Sequence, residues 1–485
     1  MPPELPHHLA RYRALLPDYD RFVEVMARPL AQTVATNTTR LTPGHLLELC
    51  GDHLSLTPVD WFPGAFRLDP EDRPGRHWSY TSGLYSVQEE ASLVPVRMLD
   101  ARPGERVLDL CAAPGSKTAQ IAMAMGNRGT LIANDIKVAR LSAVHDQCRR
   151  LGLLNLATTG HDGSVYPVEA GQFDRILVDA PCTAEGKARR GYMRDSKPAF
   201  RKWVQGQQRA LLRQALELCR PGGRIVYATC TFAPGENEAI ISDLLAEADG
   251  RLRARAPEFE VPGAEPGLEA FEGHRWHPDV RHGRRLWPHR TDTGGFFAIV
   301  LERTDSPELP PPALQPLPAA APMETVLGYL ERFDLPAGRL DDLHFFLDQK
   351  HLRAVRADHA PPTGIRLENL GVDFARRRSS HPKITTGSAM AIGAGARRNV
   401  VDLTPGELQQ WRDRLELPLA ASRLEHCERG YQLVRCRDLI HGTGFLRLDE
   451  DGSGRLESQF PKAWMRFRPP PEADPEVVAD PGVDA

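Results

Sequence analysis

The sequence predicts an α/β protein. A mostly parallel, doubly wound sheet occupies the middle of the chain, with a helical to α+β domain before it and a smaller region after it. Three observations carry this. From 96 to 303 apolar strand patterns alternate with helical ones: RVLDL, TLIAND, FDRILVDA, GRIVYATC and FFAIVLE are spaced by KTAQIAMAM, ARLSAVHDQCRRL and GQQRALLRQALELC. Strands spaced by helices pair in parallel through right-handed crossovers, which puts helices on both faces. A glycine-containing turn joins the first strand to its helix, in VLDLCAAPGSKTAQIA. The chain is 485 residues long, roughly three times a usual domain, so several domains are expected.

Taken in order, residues 1 to 95 read as an accessory domain, with LARYRALL and FVEVMARPL as helical segments followed by the less regular VATNTTRLT and WFPGAFRL. Residues 96 to 303 form the central domain. The stretch 304 to 322, TDSPELPPPALQPLPAAAP, reads as a proline-rich linker. A first C-terminal region follows over 323 to 400 and a second, with turn-rich strands, over 401 to 468. The acidic tail 469 to 485 is expected to be disordered.

A hydrophobic content of 41% is ample for real cores. Net charge is −3, but the tail from Pro471 to Ala485 holds five acidic residues and no base, which leaves the rest at +2. Local patches therefore matter more than the total. After Cys182 the run GKARRGYMRDSKPAFRKW interleaves seven bases with Tyr192, Phe200 and Trp203, a mixture suited to phosphate contact and base stacking. The alternative is a solvated helix face. Further basic runs lie at 281–290 and 376–383. The eight cysteines show neither a disulfide framework nor CxxC pairs. With no secretory leader or spanning segment, a soluble cytoplasmic protein without a membrane partner is expected. His274, His277, His282 and His289, like His426 with Cys427 and Cys436, lack zinc spacing, so no metal is expected.

The loop Cys111–Lys117 stands at the carboxyl end of a strand, where open α/β sheets bind ligands. It has neither the Gly-Lys-Ser/Thr of a phosphate loop nor GxGxxG, which disfavours phosphate cradling. Asp135, ending TLIAND, stands where a carboxylate accepts ribose hydroxyls. Asp162, after the next strand, can meet an adenine edge. Each aspartate alone is equally a turn or cap residue; their order after the loop favours a nucleoside cofactor.

Cys182 and Cys230 differ from the other six cysteines, which read as small core residues. Each follows a continuous apolar strand and opens a Gly/Pro-containing loop, so a doubly wound sheet brings both to one crevice. A thiolate there could attack a bound base. The residues alone leave open which thiol attacks.

The set CAAPGSKT, ND, HDG, DAPC and ATCTFAPGENE resembles the Sun-type (nucleolar-protein) RNA 5-methylcytosine methyltransferases. The segment GLYSVQEEASLVPVRML is similar to the helix before that family's cofactor loop, with Ser86 and Glu89 spaced as a capping box. RLWPHRTDTGGFFAIV resembles the end of its catalytic domain. VVDLTPGELQQW, RGYQLVRCRDLIHGTGFLRL and GRLESQFPKAWM resemble the PUA-like end of the bacterial F-type small-subunit enzymes. One departure stands out: where the family has an arginine two residues before the asparagine of VATNTTRLT, this chain has Ala35.

The resemblance implies a Rossmann-like, S-adenosylmethionine-dependent methyltransferase acting on cytosine C5 of small-subunit (16S) ribosomal RNA, as a monomer that meets the 30S subunit. In the family's terms Cys230 is the nucleophile and Cys182 assists loss of the C5 proton and product release, while Asp179 contacts N3 and borders the cofactor. Cys111, Ala112, Ala113, Pro114, Gly115, Ser116 and Lys117 hold the cofactor, Asp135 its ribose and Asp162 its adenine. Lys117 as an ordinary exposed lysine is the plainer alternative. Transfer RNA is the runner-up substrate. A DNA C5-methyltransferase and a non-catalytic assembly factor are the readings from other classes, and the TC cysteine and the intact loop speak against them.

Overall fold

A computed structural model describes residues 7–191, 196–306, 311–336, 338–376 and 383–465. The amino-terminal part opens with a 3-10 helix at His7–Ala14 and an α-helix at Tyr19–Met26. It then contains more sheet than its sequence suggests. Strands Thr33–Thr36, Thr57–Pro58, Ala65–Arg67 and Tyr85–Gln88 form one antiparallel sheet. The Pro43–Cys50 helix is started by Thr42, whose side chain accepts from the His45 N–H, with proline in the first turn.

The capping box expected of Ser86 and Glu89 does not form. Ser86 lies within the Tyr85–Gln88 strand opposite Ala35, and the helix begins only at Leu93. Glu89 instead accepts from the N–H of Ala91 at 3.1 Å and of Gly294 at 2.8 Å. The S-x-x-E spacing is a local signal, and pairing with a strand fifty residues away overrides it. Ala35, the departure from the family pattern, is buried in that strand. Asn37 is buried too, its side-chain amide donating to the carbonyls of Gly83 and Leu151.

The central sheet is built on β1 (Arg106–Asp109), β2 (Thr130–Asn134), β3 (Leu156–Thr159), β4 (Phe173–Asp179), β5 (Cys219–Thr229) and β6 (Phe296–Arg303). Their spatial order is β6-β5-β4-β1-β2-β3, with β1 to β5 parallel and β6 antiparallel to β5. Helices cover both faces, so successive residues enter opposite cores. Val107, Leu131, Leu177, Val226 and Ala298 pack on one side; Leu108, Ile132, Ile176, Ile225 and Phe297 pack on the other. The chain winds outward through β1, β2 and β3 and returns to β4. The strand order thus reverses between β1 and β4, the point where such sheets bind ligands.

The carboxyl-terminal region is joined to this sheet. Leu367–Leu370 pairs antiparallel with β3 and extends its edge. Described residues of the proline-rich stretch run along the body: the N–H groups of Ala313, Gln315 and Ala321 donate to the carbonyls of Glu169, Pro361 and Phe345. A three-stranded sheet (Leu343–Leu347, His351–Arg356, Val372–Arg376) precedes a five-stranded one ordered Val400–Asp402, Gly430–Cys436, Leu439–Leu448, Gly454–Ser458, Leu417–Leu419. Thr404 and Glu407 form a capping box on the Pro405–Arg412 helix. The second sheet leans on the amino-terminal part, where Arg40 donates to the Ile440 carbonyl and Ser82 Oγ meets His441 Nδ1 at 2.7 Å. The acidic tail lies outside the described residues. Among those described, no helix is long and apolar enough to cross a membrane.

Candidate active site

The site occupies the carboxyl ends of β1 to β5. The half expected to take the cofactor begins at the Cys111–Lys117 loop. The Ala112 N–H donates to the Asn134 carbonyl at 2.7 Å, and the Ala113 N–H to Asp135 Oδ2 at 3.2 Å. Arg140 closes the other side, donating to the Ala113 carbonyl at 2.8 Å with Asp135 Oδ2 at 3.4 Å. Gly115 has φ +107°, and a Cβ there would lie 2.8 Å from Val144 Cα. Both features demand glycine. Gly115→Ala is expected to store ~1–3 kcal/mol of strain in the loop. It should weaken S-adenosylhomocysteine binding by calorimetry about tenfold or more; unchanged affinity would show that the loop is not the cradle.

Asp135 stands just past β2 and Asp162 past β3. Asp135 Oδ1 also accepts from the Lys137 N–H at 2.9 Å, while Asp162 Oδ1 caps a turn by accepting from Ser164 N and Oγ. Three residues missed by the sequence reading complete this half. Asp109, at the end of β1, accepts from Thr118 Oγ1 at 2.6 Å through Oδ2, while its buried Oδ1 has no hydrogen-bond partner among the described residues. Burial pushes its carboxyl up to about 7. Ile136, just past β2, and Val165, in the 3-10 turn Gly163–Val165 that follows β3, are 62% and 64% exposed, unusual for apolar side chains. An unpaired buried acceptor, acidic groups and exposed apolar side chains together suit a cofactor with amine, hydroxyls and a flat base. The signal was present in the sequence as isoleucine directly after Asp135.

The other half holds the thiols. Cys182 Sγ and Cys230 Sγ lie 3.4 Å apart, both half-buried. Their loops are stapled by residues of Gly235-Glu236-Asn237-Glu238, which the sequence reading noted as a motif without assigning roles. Glu236 accepts from Thr183 N at 3.0 Å, Thr183 Oγ1 at 2.6 Å and Gln208 Nε2 at 3.1 Å. Asn237 accepts from Thr229 Oγ1 and donates to the Thr231 carbonyl. Thr183 and Thr231 hydroxyls meet at 2.9 Å, directly linking the residues after each cysteine. Glu238 forms a fully buried two-point ion pair with Arg285 at 2.6 and 2.5 Å.

The thiols are electrostatically unequal. With Cys182 as the donor of the shared hydrogen bond, that bond and the charges of Lys187 and Lys117 lower Cys230 against the opposing effect of burial. The same hydrogen bond and burial push Cys182 up. Lys117 is not a solvent lysine, since its Nζ lies 2.7 Å from Asp179 Oδ2 at the end of β4. Of the other cysteines, Cys50, Cys148, Cys219 and Cys436 are buried.

The basic runs divide. Arg189 is buried and donates to the carbonyls of Arg28, Pro29 and Thr293. Lys197 and Lys202 remain exposed with Phe200 and Trp203, while Tyr192 and Arg194 lie outside the described residues. In the 281–290 run Arg285 is internal and His289 meets Asp18 at 3.1 Å. Most of the 376–383 run is outside the described residues.

A doubly wound sheet whose switch point carries a nucleoside-type cradle opposite a thiol pair defines a SAM-dependent methyltransferase. Comparison with known proteins agrees and is more specific: the chain belongs to the 16S rRNA methyltransferase RsmB/F family, whose model matches residues 96–302, while that of the N-terminal domain of 16S rRNA methyltransferase RsmF matches residues 5–90. Ribosomal RNA small subunit methyltransferase F of Erwinia tasmaniensis is 30% identical over 453 residues, covering 87% of this chain and 91% of the relative. Its namesake in Escherichia coli (strain SMS-3-5) is 30% identical over 435 residues, covering 85% and 88%. Among solved structures, a methyltransferase homolog protein from Pyrococcus horikoshii is 31% identical with TM-score 0.55, covering 61% of this chain and 94% of its own. NSun6 from the same organism, solved with SFG, shares the fold at 19% identity and TM-score 0.53, covering 62% and 99%. The chain is therefore an S-adenosylmethionine-dependent RNA methyltransferase.

Proposed function

We propose that the chain methylates cytosine C5 in small-subunit ribosomal RNA through a covalent adduct between Cys230 and C6. The observation that carries this is the pair of thiols 3.4 Å apart at the strand ends, with the charges of Lys187 and Lys117 favouring Cys230 as the thiolate and Cys182 as the thiol. Cytosine C5 is too electron-poor to take a methyl group directly. Addition of the Cys230 thiolate to C6, with a proton passed to N3 from the Lys117–Asp179 pair, makes C5 an enamine carbon. Asp179, paired with Lys117 at the end of β4, would contact N3 and the exocyclic amine. S-adenosylmethionine supplies the electrophilic methyl group. Once Cys230 is bonded to C6 its charge no longer holds Cys182 protonated; Cys182, its own proton lost to solvent, then takes the C5 proton, and the electron pair of the broken C–H bond expels the Cys230 thiolate. Asp135 and the Cys111–Lys117 loop hold the ribose and methionine portions, and Asp162 stands at the adenine end.

The base must leave its stack to enter this crevice, which favours a loop cytosine. We place the reaction in the cytoplasm, on the 30S subunit, with the enzyme acting as a monomer. Labelled cofactor offered with undermethylated 30S subunits, naked 16S rRNA, tRNA and duplex DNA tests this. Label should enter subunit RNA as 5-methylcytosine; label in tRNA or DNA alone would overturn the substrate.

A stacking platform supports the RNA reading. Phe200 and Trp203, 37% and 38% exposed, stack at 5.8 Å on the first turns of the Pro198–Leu218 helix beside Lys197 and Lys202. Five residues after Trp203, Gln208 of that helix donates to the Pro181 carbonyl next to Cys182. Base–aromatic stacking contributes ~1–3 kcal/mol per base, so Phe200→Ala with Trp203→Ala should weaken RNA binding about ten- to hundredfold in a filter assay. S-adenosylhomocysteine affinity should stay unchanged; undiminished RNA affinity would remove this surface from the interface.

A further inference from the structure

The basic run after Cys182 assigns Lys187 to phosphate contact, and the structure moves it elsewhere. The Gly186 N–H donates to the Cys230 carbonyl at 2.9 Å, and the Gly186 carbonyl accepts from Gly295 N at 3.0 Å. A Cβ on Gly186 would lie 2.1 Å from the Gly295 carbonyl oxygen, so only glycine allows this crossing. Lys187 follows directly, its own N–H donating to the Ala184 carbonyl at 3.0 Å. Its backbone is thereby fixed against that of Cys230.

Lys187 is half-buried, yet its ammonium makes no hydrogen bond or ion pair among the described residues. Nearby carboxylates are engaged elsewhere. Asp179 is paired with Lys117, Glu185 with Arg11 and Tyr12, and Glu236 with Thr183 and Gln208. A half-buried cation without a partner is costly unless an anion forms beside it. We propose that Lys187 is the charge partner of the Cys230 thiolate, holding the nucleophile ionised before RNA arrives. This rests on Cys230 being the attacking residue.

The groups facing Cys230 are Cys182, Lys187, Asp179 and Lys117. Lys187 in turn is raised, first by Cys230, then by Cys182 and Asp179, with burial and Arg190 opposing. Of the two lysines Lys117 is already neutralised by Asp179, which leaves Lys187 as the uncompensated positive charge. The sign follows: a nearby cation lowers a thiol pKa, so removing it must shrink the thiolate fraction at neutral pH.

The test is the pH dependence of Cys230 alkylation by iodoacetamide in the free enzyme, read by peptide mass spectrometry. Relative to the unsubstituted protein, Lys187→Met should move the midpoint up by about one pH unit or more and slow alkylation at pH 7 roughly tenfold, while Lys187→Arg keeps both near their starting values. Lys187→Gln serves in place of the methionine variant if that fails to fold. Thermal unfolding and S-adenosylhomocysteine affinity should be unaltered, which a merely structural lysine would not guarantee. An unmoved midpoint in the neutral variants, or an arginine variant as slow as methionine, overturns the proposal. No RNA is needed, so this failure is distinct from that of the nucleophile assignment, which falls if Cys230→Ala still methylates or traps an RNA adduct.

Discussion

Cys230→Ala is expected to lose methylation by about a thousandfold or more, since nucleophilic addition is the step that makes C5 reactive, and to form no RNA adduct. Cys182→Ala should behave differently, accumulating an RNA–protein adduct that survives denaturing electrophoresis while turnover collapses. The asymmetry is what the family resemblance implies, and the lysine charges beside Cys230 support it. The sulfurs lie 3.4 Å apart, close enough for Cys182 to donate to the Cys230 thiolate, so a base bonded to one sulfur would lie beside the other. Removing Cys182 leaves addition possible and blocks elimination; removing Cys230 prevents addition. Labelled cofactor with undermethylated 30S subunits, followed by a denaturing gel, reads both outcomes together. An adduct in Cys230→Ala and none in Cys182→Ala would exchange the two roles.

Arg285→Met should produce the largest loss of stability. Arg285 and Glu238 are both almost inaccessible to solvent, and Arg285 also donates to the Phe232 carbonyl at 2.9 Å and lies against the Trp287 ring. Removing one member of a buried pair strands the other charge, at a cost of about 3–5 kcal/mol. For a domain of this size that corresponds to a fall in transition temperature of about 6–20 °C by calorimetry. Adding Glu238→Gln should recover part of the loss, because the stranded carboxylate is gone. A transition within a degree or two of the unsubstituted protein would mean that the pair is not desolvated in solution.

The pair also shows where sequence reading ends. RVLDL, TLIAND and FDRILVDA were legible as strands because burial on both sheet faces makes a strand continuously apolar, a signal needing no partner. Cys182 and Cys230 were legible as companions because both follow such strands. What escaped depended on distant contacts. The strand at Tyr85–Gln88 exists because Thr33–Thr36 pairs with it, and S-x-x-E spacing reads the same segment as a helix start. Lys187 looked like one cation among seven until its neighbour's hydrogen bond to the Cys230 carbonyl placed it. The ranking of the two thiols came from the family resemblance and gains physical support from charges that only the folded chain brings together.

The Leu367–Leu370 strand gives the carboxyl-terminal region a second meaning. It covers the outer edge of β3 at Ala157–Thr159. A chain cut in the proline-rich stretch would expose that row of amides and carbonyls as a template for another copy of itself. By covering that edge the region removes a site of self-association, and shortening the protein to its catalytic core is expected to leave it adhesive.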